Sequence, residues 1–207
     1  MTALNYLHDD ETCADSEWPG VRECSVRIDS GSRQLMGTLA FPEDVKDSVP
    51  LGVVTIHGWS GPRAGPQRMF VHLGRELSGR GVPALRFDLG GRGESTGEAM
   101  TATLDNMIDD TLAAVAWLRE AGCREIALVG ICSGGNVALG AATLGKFSRL
   151  VLLSTLPFAP VTKRTAIKKV LFLLGRYTRQ LTHGDTWRRL FRGELALSRV
   201  GRSLGAA

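Results

Sequence analysis

Residues Ile126-Ala127-Leu128-Val129-Gly130-Ile131-Cys132-Ser133-Gly134-Gly135 decide the fold. The run Glu125–Gly130 reads as a strand buried on both faces. It passes directly into Gly-x-Cys-x-Gly and then into small residues that read as a helix starting near Ser133. A nucleophile presented on such a strained strand-to-helix bend needs flanking residues without bulk. With Cys132 as the nucleophile, those flanking residues are Gly130 and Gly134. With Ser133 they are Ile131 and Gly135, and a β-branched isoleucine would crowd the bend. The register therefore selects Cys132, and Ser133 contributes a backbone N–H. The helix start behind the thiol favours developing negative charge. The plainer alternative is a buried, inert cysteine in an ordinary turn, and two further segments weigh against it.

The first lies upstream, where the apolar strand Leu51–Ile56 ends in His57-Gly58-Trp59-Ser60-Gly61. A His-Gly turn at this place is of the kind that donates a second N–H to an oxyanion. The expected oxyanion donors are the amides of Trp59 and Ser133. His57 and Gly58 are read as shaping the turn, with His57 not acting as a base. The second segment is Phe87-Asp88-Leu89-Gly90-Gly91-Arg92-Gly93-Glu94-Ser95, a glycine-rich turn after the next strand. Asp88 is expected to bond backbone amides of that turn. Its spacing matches neither a Walker A loop nor a dinucleotide fingerprint, so a phosphate cradle is set aside.

Further out, Val21–Ile28 and Gln34–Phe41 alternate as strands around Asp29-Ser30-Gly31-Ser32, which predicts a hairpin. The spacing of Phe70, Leu73 and Leu77 predicts a helix over 67–78, followed by a strand over Val82–Phe87. Ile108, Leu112, Val115 and Leu118 predict a helix over Asp105–Glu120 that Gly122 closes. Leu150–Leu153 is a last strand. Strands alternating with helices make an α/β protein, a mostly parallel sheet flanked by helices with right-handed crossovers. Residues 1–20 are expected to be a flexible N-terminus, 21–160 the α/β core, and 161–207 a helical, basic, lid-like segment.

The three glycine-bearing segments, in order and each behind a predicted strand, resemble the α/β-hydrolase family over Val21 to Pro160, in its HG…DxxGxGxS…GxSxG layout. A cysteine in the elbow is similar to dienelactone hydrolases. The Cys132-Ser133-Gly134 elbow and Asp185-Thr186-Trp187-Arg188-Arg189-Leu190-Phe191-Arg192-Gly193-Glu194 also look like hydrolases associated with exosortase systems. The resemblance implies a chain order of nucleophile, acid and histidine, the last two after a seventh and an eighth strand. Neither strand is visible in this sequence. Beyond Cys132 the only histidine is His183 and the only carboxylates are Asp185 and Glu194. Spacing of two on one helix points His183 and Asp185 apart, so both are read as lid residues. The expectation is an incomplete core lacking the last strands, with the chain stopping in or just after the lid. Leu150–Leu153 would then be an unpaired apolar edge.

Composition supports a globular core, with 43% hydrophobic and 22% charged residues among 207. Net charge is +4, and much of the excess lies late. Eleven Lys or Arg fall between Lys163 and Arg202, opposed only by Asp185 and Glu194. Such a tract suits weak contact with an anionic membrane through 163–202, but a solvated lid face is the plainer reading and is adopted. No nucleic-acid-binding module is recognised. The N-terminus has neither the basic start nor the apolar core of a signal peptide, and no stretch approaches the roughly 20 apolar residues of a membrane span. Cys13, Cys24, Cys123 and Cys132 show no CxxC spacing, so neither zinc nor a disulfide scaffold is indicated, and a reducing, cytoplasmic location fits. No metal or organic cofactor is implied. The expected function is hydrolysis of a carboxylic ester, thioester or lactone, a small-molecule acyl substrate attacked by Cys132. The alternative is a catalytically impaired, truncated hydrolase scaffold acting as a binding or accessory protein.

Overall fold

The computed structural model describes residues 13–44 and 49–155. Seven strands form one sheet: β1 (Cys13–Asp15), β2 (Val21–Ser30), β3 (Arg33–Pro42), β4 (Val49–Ile56), β5 (Ala84–Phe87), β6 (Cys123–Ile131) and β7 (Arg149–Leu153). Their spatial order is β1-β2-β3-β5-β4-β6-β7. Pairing is antiparallel from β1 to β5 and parallel from β5 through β4 and β6 to β7. Three helices flank it: α1 (Met69–Ser78), α2 (Leu104–Glu120) and α3 (Ser133–Leu144). This is the α/β architecture expected from the alternating pattern.

The continuous apolar runs are explained by the two faces of the sheet. Val53, Ala127 and Val129 pack with Phe70 of α1 on one face. Val54, Ile126 and Leu128 pack on the other with Met107, Ile108 and Leu118 of α2 and Val137, Ala138 and Ala141 of α3. Successive strand residues point to opposite faces, so a strand covered on both sides must be apolar throughout. On α2 the buried residues recur at helical spacing. Its start is capped by Thr103, whose side chain accepts from the Asn106 amide at 3.2 Å, and Gly122, at φ 117°, follows its end.

Three features differ from the sequence reading. Helix α1 begins at Met69, because Gln67 and Arg68 take left-handed conformations at φ 51° and 61° in a short 3-10 turn. Strand pairing begins at Cys13, inside the stretch expected to fray. Cys13 also faces Cys24 across β1 and β2, and the two form a disulfide. The expectation that no disulfide is indicated is thereby corrected. It had weighed CxxC spacing, whereas this pair is joined by strand register. Disulfides persist in oxidising compartments, so cysteine usage no longer argues for a cytoplasmic location.

At the other end of the sheet β7 is the last strand among the described residues, with Val151, Leu152 and Leu153 exposed. No helix of the described residues is long and apolar enough to cross a membrane. Chain contacts divide at Phe158. The expected lid-like segment 161–207, with its basic tract, lies outside the described residues.

A buried carboxylate ties three elements together near the C-terminal ends of the parallel strands. Asp110 of α2 accepts from Ser30 Oγ at 2.7 Å and from the Arg33 guanidinium at 2.8 Å, both at the hairpin tip. Its other oxygen accepts from the Gly90 amide at 2.9 Å, in the loop after β5. Removing the carboxylate would take the acceptor from all three donors at once. Asp110→Ala is expected to cost roughly 3 kcal/mol of unfolding free energy. Urea denaturation checks this, and a loss near zero would show that the loop is held by other means.

Candidate active site

Cys132 sits where β6 turns into α3, and it is exposed. Its φ of 55° and ψ of −123° place a non-glycine residue in a costly backbone region. Neighbouring backbone holds it there. Its amide donates to the Leu153 carbonyl at 2.8 Å, and its own carbonyl accepts from the Gly135 amide at 3.1 Å.

The flanking glycines have a steric cause. A Cβ on Gly130 would come within 2.5 Å of the Gly134 carbonyl oxygen and 2.7 Å of Gly135 Cα. One on Gly134 would run into the carbonyl oxygens of Ile56 and His57. The elbow is thus wedged between its own strand and the end of β4. That contact also brings the His57-Gly58-Trp59 turn to Cys132. A Cβ on Gly58 would lie 3.5 Å from Cys132 Cβ and 3.7 Å from Ser133 Oγ.

Trp59 and Ser133 meet at this point, though not with two open amides. The Trp59 N–H donates to Ser133 Oγ at 2.6 Å. Ser133 is the first residue of α3, where N–H groups have no acceptor within the helix. The site therefore offers an exposed sulfur, a helix-start amide, and a second amide already engaged by a hydroxyl.

His57 is buried, and both ring nitrogens are occupied. Nδ1 lies 2.7 Å from the Gly58 carbonyl oxygen, and Nε2 accepts from the Leu89 amide at 3.1 Å. A nitrogen that accepts carries no proton, so Nδ1 is the donor and the ring is neutral. Burial pushes its pKa below 6.5, with the Gly58 hydrogen bond and Asp88 opposing. Among the described residues the other imidazole is His72, exposed on α1.

Asp88 is buried at the end of β5 and accepts from the backbone amides of Arg63, at 2.7 Å, and Glu94, at 3.3 Å. It also pairs with the Arg63 guanidinium. The sequence reading did not single out Arg63 or Arg92. Arg92 donates from Nε to the Trp59 carbonyl oxygen and from Nη1 to the Gly90 carbonyl oxygen at 3.1 Å. Its guanidinium lies 4.7 Å from the centre of the Trp59 ring. A cation over an indole adds on the order of 1 kcal/mol. The arginine among Gly90, Gly91 and Gly93 was the available signal, since a long cation in a glycine turn is free to reach carbonyls. No group of three or more metal-ligating side chains occurs among the described residues.

Comparison with known proteins shows the family. The model of the Alpha/beta hydrolase family matches residues 53–206. Among solved structures, Est1E of Butyrivibrio proteoclasticus with ferulic acid bound is 28% identical, with a TM-score of 0.51 over 57% of this chain and 47% of that one. A serine hydrolase without lid from Xanthomonas campestris is 25% identical, TM-score 0.53, over 63% of this chain and 60% of that one. An alpha/beta hydrolase from a Penicillium species shares the fold at 22% identity and TM-score 0.58, over 78% and 56%. The chain spans about half the length of these proteins. No curated protein sequence matches it.

Two outcomes are expected. Gly134→Ala should destabilise the fold by about 1–3 kcal/mol and slow alkylation of Cys132, because the added methyl must push the elbow off β4. Denaturation and thiol-labelling rates measure the two effects, and a variant equal to the original in both would refute the wedge. His57 adds a pH dependence. Since folding holds the ring neutral, the unfolded chain takes the proton more readily. The contribution is therefore full above 6.5 and is lost as pH falls through it. Denaturation from about pH 8 to about pH 5 should show the stability advantage over His57→Gln narrowing below 6.5.

Proposed function

We propose that this chain, which belongs to the alpha/beta hydrolase family, breaks a carboxylic ester, thioester or lactone bond through a thioester on Cys132. The observation that carries this reading is the exposed sulfur at a strained elbow with the Trp59 and Ser133 amides beside it.

In this reading the Cys132 thiolate attacks the acyl carbon and the carbonyl oxygen becomes an oxyanion. The oxyanion accepts from the Trp59 and Ser133 amides, the first of which must be released by Ser133 Oγ. Collapse expels the alkoxide or thiolate, which takes up a proton, and leaves the acyl group on sulfur. Water then attacks the thioester and releases the acid and the free thiol. A base must accept the thiol proton and later activate the water. His57 does not fit that role, since both its nitrogens are engaged. Asp88 and Arg92 act at a distance, as anchors of the two loops.

Substrate identity is open within the acyl class. The half-exposed indole of Trp59, at 52% exposure, and the ferulic acid bound by Est1E make aryl-acyl esters a natural part of a substrate panel. The accessory reading, a scaffold that binds without turnover, is the other outcome of the same test. A role at an anionic membrane rests on 163–202, outside the described residues.

Hydrolysis of p-nitrophenyl esters and thioesters by the original and by Cys132→Ala is the direct experiment. Cysteine-dependent turnover is expected, and equal rates would remove Cys132 from the mechanism. Release of one equivalent of nitrophenolate followed by no turnover would select the scaffold. Iodoacetamide is expected to modify Cys132 and spare Cys123, a buried thiol whose pKa burial pushes up to about 12. Mass spectrometry of the labelled peptides shows which thiol reacted.

A further inference from the structure

The hydroxyl of Ser133 is the one polar group at the elbow to which the proposed chemistry gives no task. Its oxygen accepts from the Trp59 N–H at 2.6 Å, beside the nucleophile. That amide is the donor an acyl oxygen would need, so the hydroxyl stands where the carbonyl oxygen of a bound substrate would stand. We propose that Ser133 Oγ is an internal stand-in for the substrate oxygen. It caps the Trp59 amide in the resting protein and must rotate away before an acyl group can seat. The inference deepens the reading of Cys132 as an acyl nucleophile and rests on it.

Three observations make the hydroxyl the mobile partner. The next peptide along, Trp59–Ser60, is anchored, since Arg92 Nε donates to the Trp59 carbonyl oxygen. Arg92 is itself buried, is bonded to the Gly90 carbonyl oxygen, and stacks on the Trp59 ring. Ser133 has a single rotatable side-chain bond with staggered alternatives, on a backbone already committed to α3. Exchange of the acceptor therefore requires one serine rotation and leaves the loop in place.

The energetic consequence has a definite kinetic form. The cap stabilises only the free protein, because Oγ is displaced both when substrate is seated and at the transition state. A term present only in the free state raises KM and leaves kcat alone. A neutral hydrogen bond contributes about 0.5–1.5 kcal/mol net, which corresponds to a factor of roughly 2 to 10. Once the hydroxyl has moved, a developing oxyanion is held more strongly than a neutral carbonyl oxygen, because charge-assisted bonds are about twice as strong. Ser133 is thus a positioning residue that weakens the apparent affinity for every acyl substrate by the same factor, acting through the Trp59 amide.

The test compares the full chain with Ser133→Ala and Ser133→Thr, using p-nitrophenyl acetate and reading the first equivalent of nitrophenolate. In Ser133→Ala, which keeps the backbone amide, the half-saturating ester concentration should fall about threefold. Amide exchange at Trp59, followed by NMR, should accelerate in the same variant. Ser133→Thr keeps an oxygen at the same atom, so it should restore slow exchange and the higher half-saturation. Faster exchange at Trp59 with an unchanged or higher half-saturation would overturn the cap while leaving Cys132 as nucleophile. A first equivalent that survives Cys132→Ala would instead remove the nucleophile reading, and the cap with it.

Discussion

The close approach of the β6–α3 turn to the end of β4 is the constraint on which the rest depends. Gly134 lies against the carbonyl oxygens of Ile56 and His57, and Gly130 against Gly134 and Gly135, with no room for a methyl at either place. That contact forces Cys132 to positive φ and lifts its side chain clear of the fold. It also draws the Gly58–Trp59 peptide against Ser133. The exposed sulfur and the two amides are therefore placed by one packing event. Loosening the wedge would displace all of them together.

Around that wedge the chain spends its buried polar groups on loops. Asp110 holds the β2–β3 hairpin tip and the start of the 90–98 loop. Asp88 gathers Arg63 and Glu94 at the end of β5, and Arg92 links the same loop to Trp59. Each of these groups is satisfied by backbone amides, carbonyls or an opposite charge, as burial demands. His57 joins the same lattice as a neutral spacer between Gly58 and Leu89. Loops normally have the freedom to move. Here they are tied to the sheet by side chains whose removal leaves buried donors or acceptors without partners.

Much of this was legible in the sequence because it follows from patterns with a fixed period or a hard steric rule. The two-faced apolar run of β4 and the helical spacing on α2 read directly from hydrophobicity. That Cys132 occupies the bend could be read from Gly130 and Gly134 on either side of it and from the bulk of Ile131. Other features were hidden because they depend on register or on side-chain direction. The Cys13–Cys24 pair exists because β1 aligns Cys13 opposite Cys24, and nothing in their spacing announces a three-residue strand. The start of α1 moved because Gln67 and Arg68 adopt left-handed backbone that propensity does not foresee. The engagement of Trp59 by Ser133 Oγ, and the reach of Arg92, are contacts between segments far apart in the chain.

The central claim is that the Cys132 sulfur becomes covalently acylated at the elbow. Its most direct measurement is peptide mapping by mass spectrometry after brief exposure to an activated acyl ester and quenching in acid, which preserves thioesters. The account predicts one acyl group on the peptide containing Cys132, removed by hydroxylamine, with Cys123 unmodified. Acyl groups scattered over surface lysines, with the Cys132 peptide at its native mass, would contradict it.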